Sequence, residues 1–257
     1  MSEDEAILER SARAAYCLMA YGPGPQQLME IRGGLDAARQ RPLIIIIHGG
    51  FWRPDIDRAH ARPMADAIAA AGWTVALPEY ARVARDPAPT MLDLTLVLTQ
   101  AAQHVDAHNG QVVLLGHSAG GHLALWATAA RICPVLIGTL ALAPVADLRL
   151  AAALGLGNGA VSRFLGAEPA SRPDLDPGQM PGPVTATTIV HGADDAIVPL
   201  RVSESYVAAH PQVRWIPLAG AGHYALIDPL APAWVSVMAQ LDRWLTFPNP
   251  SSSHRVR

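Results

Sequence analysis

The chain of 257 residues contains no lysine, and all nineteen of its basic residues are arginine. Without an amine side chain, a lysine nucleophile and a Schiff-base mechanism are excluded. Charged residues make up only 16% of the sequence, and the formal net charge is −3. Because no stretch of the chain is strongly basic, the sequence predicts no nucleic-acid partner.

Cysteine is also scarce, with only Cys17 and Cys133 in the chain. Two cysteines give neither a disulfide framework nor a metal-binding pattern. The histidines and aspartates are scattered and show no zincin or EF-hand spacing. We therefore expect no metal and no cofactor.

Long apolar runs are missing as well, since no stretch reaches the ~18 residues of a membrane span. The first ten residues, MSEDEAILER, are acidic and lack the apolar region of a signal peptide. These features predict no membrane partner and a cytoplasmic location, and they leave a small-molecule substrate as the expected partner. The sequence does not predict the oligomeric state, and a homodimer stays open.

What the chain does have is hydrophobic residues, which make up 51% of it. That content and the length predict one large α/β domain over residues 1–247, followed by a disordered tail at 248–257. Apolar, β-branched runs predict strands at 28–32, 42–47, 73–77, 112–115, 136–142, 185–190 and 213–217. Helical spacing predicts helices at 4–20, 57–71, 90–107, 119–130, 201–209 and 233–245.

This alternation predicts a mostly parallel sheet with helices on both faces. Ligands of such sheets bind at the carboxyl ends of the strands. Residues 144–183 depart from the alternation, and we interpret them as a short, lid-like excursion over that edge of the sheet.

One stretch between a predicted strand and a predicted helix carries a G-x-S-x-G motif, at residues 116–120. In that setting the serine sits on a tight, strained turn that exposes its hydroxyl at the top of the sheet. Glycines at 116, 120 and 121 are expected because side chains there would collide with neighbouring elements. Ser118 is therefore the candidate nucleophile.

An oxyanion hole is predicted where the strand at 42–47 ends in His48, Gly49 and Gly50. Two glycines allow the backbone to turn its N–H groups inward. The amides of Gly50 and Phe51 can then join the amide of Ala119, at the start of the helix, around a developing oxyanion.

An acid and a base follow in the order that this architecture requires. Asp195 is the favoured acid, in the H-G-x-x-D-x-x-V-P segment at 191–199, while Asp194 and Asp147 are weaker alternatives. His223 is the candidate base, in a glycine-containing loop after the last strand, since imidazole exchanges protons near neutral pH.

Three residues beside this machinery are candidates for substrate binding, namely Trp52, His117 and Tyr224. His117 flanks the nucleophile together with His122, and both positions also suit packing or hydrogen bonding within the fold.

Over essentially its whole length the sequence resembles α/β-hydrolases. Within that superfamily, the HGGFW segment at 48–52 is similar to the HGGxW motif of kynurenine formamidases (arylformamidases). The segments GHSAGGHLALW, HGADDAIVP and AGHYALIDP also resemble that group and its bacterial esterase-like relatives. The resemblance implies a triad of Ser118, Asp195 and His223, with the oxyanion bound by the amides of Gly50 and Phe51.

The resulting hypothesis is a cofactor-free serine hydrolase that cleaves a small amide or ester through an acyl-enzyme. The resemblance favours an arylformamidase that converts N-formylkynurenine to kynurenine and formate. A short-chain carboxylesterase is the alternative. A non-catalytic ligand-binding protein of the same fold is the third possibility, and ligand binding alone does not require all three triad residues.

Overall fold

A central β-sheet organises the chain, which the computed structural model describes over residues 7–34 and 36–246. Its strands are β1 (Cys17–Ala20), β2 (Leu28–Arg32), β3 (Leu43–Ile47), β4 (Val75–Pro78), β5 (Val112–His117), β6 (Leu136–Leu142), β7 (Ala186–Gly192) and β8 (Arg214–Leu218). They form one sheet in the order β1-β2-β4-β3-β5-β6-β7-β8. The neighbours from β4 to β8 pair in parallel, whereas β2 runs antiparallel to β1 and β4.

Helices cover both faces of the sheet. They are α1 (Arg62–Ala70), α2 (Ala88–His104), α3 (Ala119–Ala129), α4 (Leu148–Ala153), α5 (Leu156–Leu165), α6 (Arg201–Ala209) and α7 (Ala233–Leu241). Side chains alternate between the two faces of a strand, so Ile44 and Ile46 pack with α1 and α7. Ile45 and Ile47 pack with α2, α3 and α5. A strand of consecutive isoleucines is the expected sequence for a position that is covered on both sides.

The helix predicted at 4–20 is wrong over the described residues 7–20. Residues 7–9 form a single 3-10 turn, and the segment ends in β1, which pairs antiparallel with β2. The apolar residues that suggested a helical face are divided by this strand, in which Leu18 is exposed and its neighbours are half-buried. Pairing with β2 overrides a helical pattern that was only local.

The other predicted elements agree with the structure to within a few residues, although the last helix ends earlier than predicted. Residues 233–245 form α7 and then a 3-10 turn from Asp242 to Thr246. The tail predicted at 248–257 lies outside the described residues. The domain boundaries therefore stay a prediction.

The segment predicted as an excursion, 144–183, contains α4, α5 and two short 3-10 turns. The first turn of α5 has left-handed backbone at Gly157, Asn158 and Gly159, with φ of 56°, 56° and 79°. Arg163 donates hydrogen bonds to the carbonyl oxygens of Gly157 and Asn158 and so holds this unusual turn in place.

Candidate active site

Ser118 lies at the sharp turn between β5 and α3, with φ 57° and ψ −120°. A residue with a Cβ atom adopts such positive φ values only under strain, as expected for a strand-to-helix nucleophile turn. The turn is fixed by a hydrogen bond of 2.9 Å from the Ser118 amide to the carbonyl oxygen of Leu142. Its tightness demands glycine, because a Cβ at Gly120 would overlap the Ile47 carbonyl and a Cβ at Gly121 would lie 2.8 Å from Pro144 Cβ.

His223 and Asp195 are joined by a buried hydrogen bond of 2.6 Å from Nδ1 to Oδ2. Their loops follow β8 and β7, and a hydrogen bond of 3.1 Å from the Asp194 amide to the Ala221 carbonyl ties the two loops together. With Nδ1 bonded to the carboxylate, the imidazole has the orientation of a base that accepts a proton at Nε2.

The Asp195 carboxylate is surrounded by four nitrogen atoms. Oδ1 accepts from the amides of Ile197 and Val198, both at 2.8 Å, and Oδ2 lies 3.2 Å from Nε2 of His191 as well as close to His223. Burial by itself would raise the pKa of Asp195, but the hydrogen bonds from His191 and His223 outweigh it and hold the pKa well below its usual range. The carboxylate stays ionised.

The two alternative acids, Asp194 and Asp147, are not bonded to His223. Asp194 is exposed. Asp147 caps α4 by accepting from the Leu150 amide at 2.8 Å and also accepts from the Ser205 hydroxyl at 2.6 Å. Both of its oxygen atoms are therefore engaged in holding the local structure.

The loop after β3 approaches Ser118 closely. A Cβ at Gly49 would lie 3.2 Å from Ser118 Cβ, and a Cβ at Gly50 would lie 2.6 Å from a methyl carbon of Ile56. Gly50, Phe51 and Trp52 have consecutive positive φ values of 114°, 49° and 54°. Two of these three residues are not glycine, so the loop stores backbone strain beside Ser118.

A buried ion-pair network holds this loop. Nε2 of His48 donates to Oε1 of Glu79 at 3.0 Å, and the same carboxylate pairs with Arg58 and Arg82. The His48 ring also stacks on Tyr80, with 4.4 Å between centroids. Burial opposes ionisation of Glu79, but the His48 and Arg82 contacts prevail and keep its pKa well below the usual range.

A cavity of about 460 Å³ opens over Ser118 and His223. The other residues of its wall are Leu8, Gly50, Phe51, Arg53, Ile56, His60, His117, Gly157, Asn158, Ile197 and Tyr224. Phe51 closes one side, and Gly157 lies against its ring, since a Cβ there would be 3.0 Å from the ring carbons. The left-handed turn of α5 is thus part of the wall.

The predicted substrate-binding residues divide between this wall and the core. His117 and Tyr224 line the cavity, whereas Trp52 is only 3% exposed and is absent from the wall. The Trp52 ring stacks on Phe164, with 4.7 Å between centroids, and meets His122 edge-on. The substrate contact predicted for Trp52 is therefore corrected to a packing role beneath the loop.

Sequence reasoning missed three residues of the site, namely His60, Glu79 and His191. Glu79 directly follows β4 and His191 lies near the end of β7, so position at the carboxyl ends of the strands was a usable signal for both. His60 lies in the 3-10 turn of residues 58–61, before α1. Nothing in its local sequence distinguishes it from an exposed helical histidine.

Within residues 7–34 and 36–246, no group of three or more His, Cys, Asp or Glu side chains is arranged to hold a metal ion. In the same part of the chain, no helix has both the length and the apolar character to cross a membrane.

Comparison with known proteins finds esterases among the relatives of this chain. The BD-FAE family model matches residues 29–132, which include the loop after β3 and the turn at Ser118. An esterase of Fusarium pseudograminearum is 30% identical over 133 residues, covering 49% of this chain and 40% of its own length. Esterase LipC of Mycobacterium tuberculosis is 25% identical over 244 residues, covering 81% of this chain and 59% of its own. The chain thus spans about half the length of these relatives.

Solved structures share the architecture over most of the chain. Esterase B of Lactobacillus rhamnosis superposes with a TM-score of 0.73 at 18% identity, covering 94% of this chain and 90% of its own. Esterase 2 of Thermogutta terrifontis gives a TM-score of 0.70 at 21% identity, covering 89% and 90%. The protein has the α/β-hydrolase fold.

Proposed function

We propose that the protein is a serine hydrolase that cleaves small carboxylic esters through an acyl-enzyme. The observation that supports this most directly is the strained turn at Ser118, which opens into the same cavity as the Asp195-bound His223. A binding protein of this fold has no need for a strained serine beside a carboxylate-oriented imidazole. The similarity to esterases supports the same class of reaction.

In the proposed reaction, Oγ of Ser118 attacks the ester carbonyl carbon while Nε2 of His223 takes the hydroxyl proton. Asp195 keeps the imidazole oriented and stabilises its charged form. The amides of Gly50, Phe51 and Ala119 bind the oxyanion of the tetrahedral intermediate.

Collapse of that intermediate breaks the bond to the alcohol oxygen, which receives the proton from His223. Water then attacks the acyl-serine with His223 again as the base, and release of the carboxylic acid regenerates Ser118. Each proton that His223 takes is returned in the same half-reaction, so no cofactor is needed for balance.

We expect short acyl groups to be preferred. Phe51 and Ile56 line the cavity, whose volume is about 460 Å³. The Thermogutta esterase has been solved with propionate bound and the Lactobacillus esterase with a tributyrin phosphonate inhibitor, so short acyl groups are the first to test here.

An arylformamide is the second candidate substrate, because the ring of Phe51 crowds the wall beside the reacting carbonyl, where a formyl group carries only hydrogen. Arg53, which could have bound the charged tail of N-formylkynurenine, forms an ion pair of 2.7 Å with Asp55. The similarity to esterases favours the ester as the first candidate.

The test compares kcat/KM for nitrophenyl acetate, butyrate and octanoate with that for N-formylkynurenine on one preparation. We expect acetate or butyrate to be the best substrate, and Ser118→Ala and His223→Ala to lower kcat by several orders of magnitude. Labelling of the wild type by an alkyl phosphonate, with the adduct mapped to Ser118, supports the acyl-enzyme. Unchanged turnover in Ser118→Ala would refute it, and faster release of formate from N-formylkynurenine would favour the second candidate.

A further inference from the structure

His60 lies on the cavity wall with one ring nitrogen engaged by the protein. Its Nδ1 lies 2.9 Å from the carbonyl oxygen of Asp57, which can only accept a hydrogen bond. Nδ1 must therefore carry a proton. Burial and the neighbouring His48 lower the pKa of His60 to about 4, so the ring is neutral at ordinary pH and Nε2 is an acceptor.

His117, on the same wall, repeats this arrangement. Its Nε2 donates to the carbonyl oxygen of His223 at 3.0 Å, which leaves Nδ1 as an acceptor. Nδ1 is buried and has no hydrogen-bond partner among the described residues. It lies beside Gly49, where a Cβ would be 3.4 Å from Nδ1. Burial and the nearby His223 lower the pKa of His117 well below its ordinary value, and this ring is neutral too.

The two histidines of the wall therefore supply no positive charge to the cavity. The guanidinium of Arg53, also on the wall, is occupied by Asp55 through two hydrogen bonds of 2.7 and 3.1 Å. An anionic substrate would find little free positive charge here. A neutral substrate that donates a hydrogen bond would match the wall.

We propose that His60 is a specificity-determining residue whose Nε2 accepts a hydrogen bond from a hydroxyl group of the substrate, so that the preferred esters are neutral and hydroxylated close to the scissile carbonyl. This inference rests on the proposed function and names the substrate class for the same site. The hydroxyl can lie on the alcohol or on the acyl group, and the experiment separates the two.

The experiment measures kcat/KM for two matched pairs of esters. Glycerol monobutyrate against propyl butyrate tests the alcohol side, and ethyl 3-hydroxybutyrate against ethyl butyrate tests the acyl side. Each value is divided by the rate constant of hydroxide-catalysed hydrolysis of the same ester, which removes differences in intrinsic reactivity. We expect the hydroxylated member to be favoured about threefold to tenfold in one pair, as one added hydrogen bond predicts.

Variants assign that preference to His60. His60→Phe should bring the favoured ratio close to one, while His60→Gln, which keeps an acceptor oxygen, should retain part of it. His104→Phe is the matched control, because His104 also bonds a backbone carbonyl through Nδ1, at 3.0 Å from Gln100, but lies at the exposed end of α2, away from the cavity. Its ratio should equal that of the wild type.

A normalised ratio near one in both wild-type pairs would overturn the inference without any variant, and so would a preference that survives in His60→Phe. If the protein hydrolyses the plain esters but not the hydroxylated ones, this inference fails while the proposed function holds. Failure to hydrolyse all four esters would overturn the proposed function itself, and this inference with it.

Discussion

Nε2 of His48 lies 3.0 Å from Oε1 of Glu79, and this buried hydrogen bond connects the loop after β3 to the end of the neighbouring strand β4. His48 begins the loop after β3, and Glu79 follows β4, which pairs with β3 in parallel. The carboxylate also pairs with Arg58 and Arg82, so it balances two cations in a region of low exposure. Glu79 thus positions the loop without touching the cavity.

Glu79→Gln should lower kcat about tenfold with a smaller change in KM, because small displacements of the oxyanion donors weaken transition-state binding more than ground-state binding. It should also lower the free energy of unfolding by roughly 3 kcal/mol, the usual effect of removing one partner of a buried ion pair. Steady-state kinetics and urea denaturation measure the two effects. Asp174→Asn is the control, since it removes an exposed ion pair with Arg172 and should leave both quantities nearly unchanged. Unchanged kcat in Glu79→Gln would show that Glu79 does not position the loop for catalysis.

Gly50→Ala tests the backbone of the same loop. The new Cβ would lie 2.6 Å from Cγ2 of Ile56 at a φ of 114°, so the loop must shift. We expect kcat to fall by about tenfold to a hundredfold with KM less affected, as for loss of part of an oxyanion hole. Gly110→Ala separates this effect from backbone strain alone, because Gly110 has a φ of 88° and open space around it. Equal kcat values for the two variants would show that the loop after β3 does not contribute to catalysis.

The sequence predicted the fold well because its strongest signals were long apolar strands and glycine-bounded turns. The isoleucines of β3 predict a strand that is buried on both faces, and the motif at 116–120 predicts a tight turn between a strand and a helix. The structure confirms both. The N-terminal segment failed because a weak amphipathic pattern competed with pairing to β2, a contact that is distant in sequence.

The triad candidates could be read from motif order, whereas the supporting residues could not. His60 enters the wall only because the turn of residues 58–61 packs beside the loop after β3, and no local pattern encodes that contact. Trp52, in contrast, was predicted to contact the substrate but lies in the core. Its place directly after the oxyanion glycines suggested the cavity, but positive φ at Phe51 and Trp52 turns the indole into the core.

The acid of the proposed triad is tested by comparing three variants, Asp195→Asn, Asp194→Asn and Asp147→Asn. Only Asp195→Asn should lower kcat strongly, by about 10⁴, since an amide favours the wrong tautomer of the His223 ring. Asp194→Asn should resemble the wild type because that side chain is exposed. Asp147→Asn should lower the melting temperature by weakening the cap of α4 while sparing kcat. Near-normal turnover of Asp195→Asn would refute the assignment.

The last prediction concerns His122, whose ring lies in the core against Trp52 and Phe164. Nε2 donates to the carbonyl oxygen of Leu175 at 2.8 Å, and Nδ1 is buried with no partner in the described part of the chain. Burial lowers the pKa of His122 from its ordinary value to about 4, although the bond to Leu175 opposes the shift. The folded protein therefore keeps this ring neutral under conditions in which the unfolded chain binds a proton.

A folded-state pKa below the unfolded value, about 6.5, means that the unfolded state binds more protons between these two values. The free energy of unfolding should therefore fall as the pH drops from 6.5 toward 4, and His122 should account for roughly 2 kcal/mol of the loss between pH 7 and pH 4.5. Urea denaturation at the two pH values should show that loss in the wild type and a loss smaller by about that amount in His122→Gln, whose side chain does not titrate. His104→Gln is the control, because it makes the same substitution at an exposed position outside the core. If His122→Gln loses as much stability on acidification as the wild type, the acid sensitivity has its origin elsewhere.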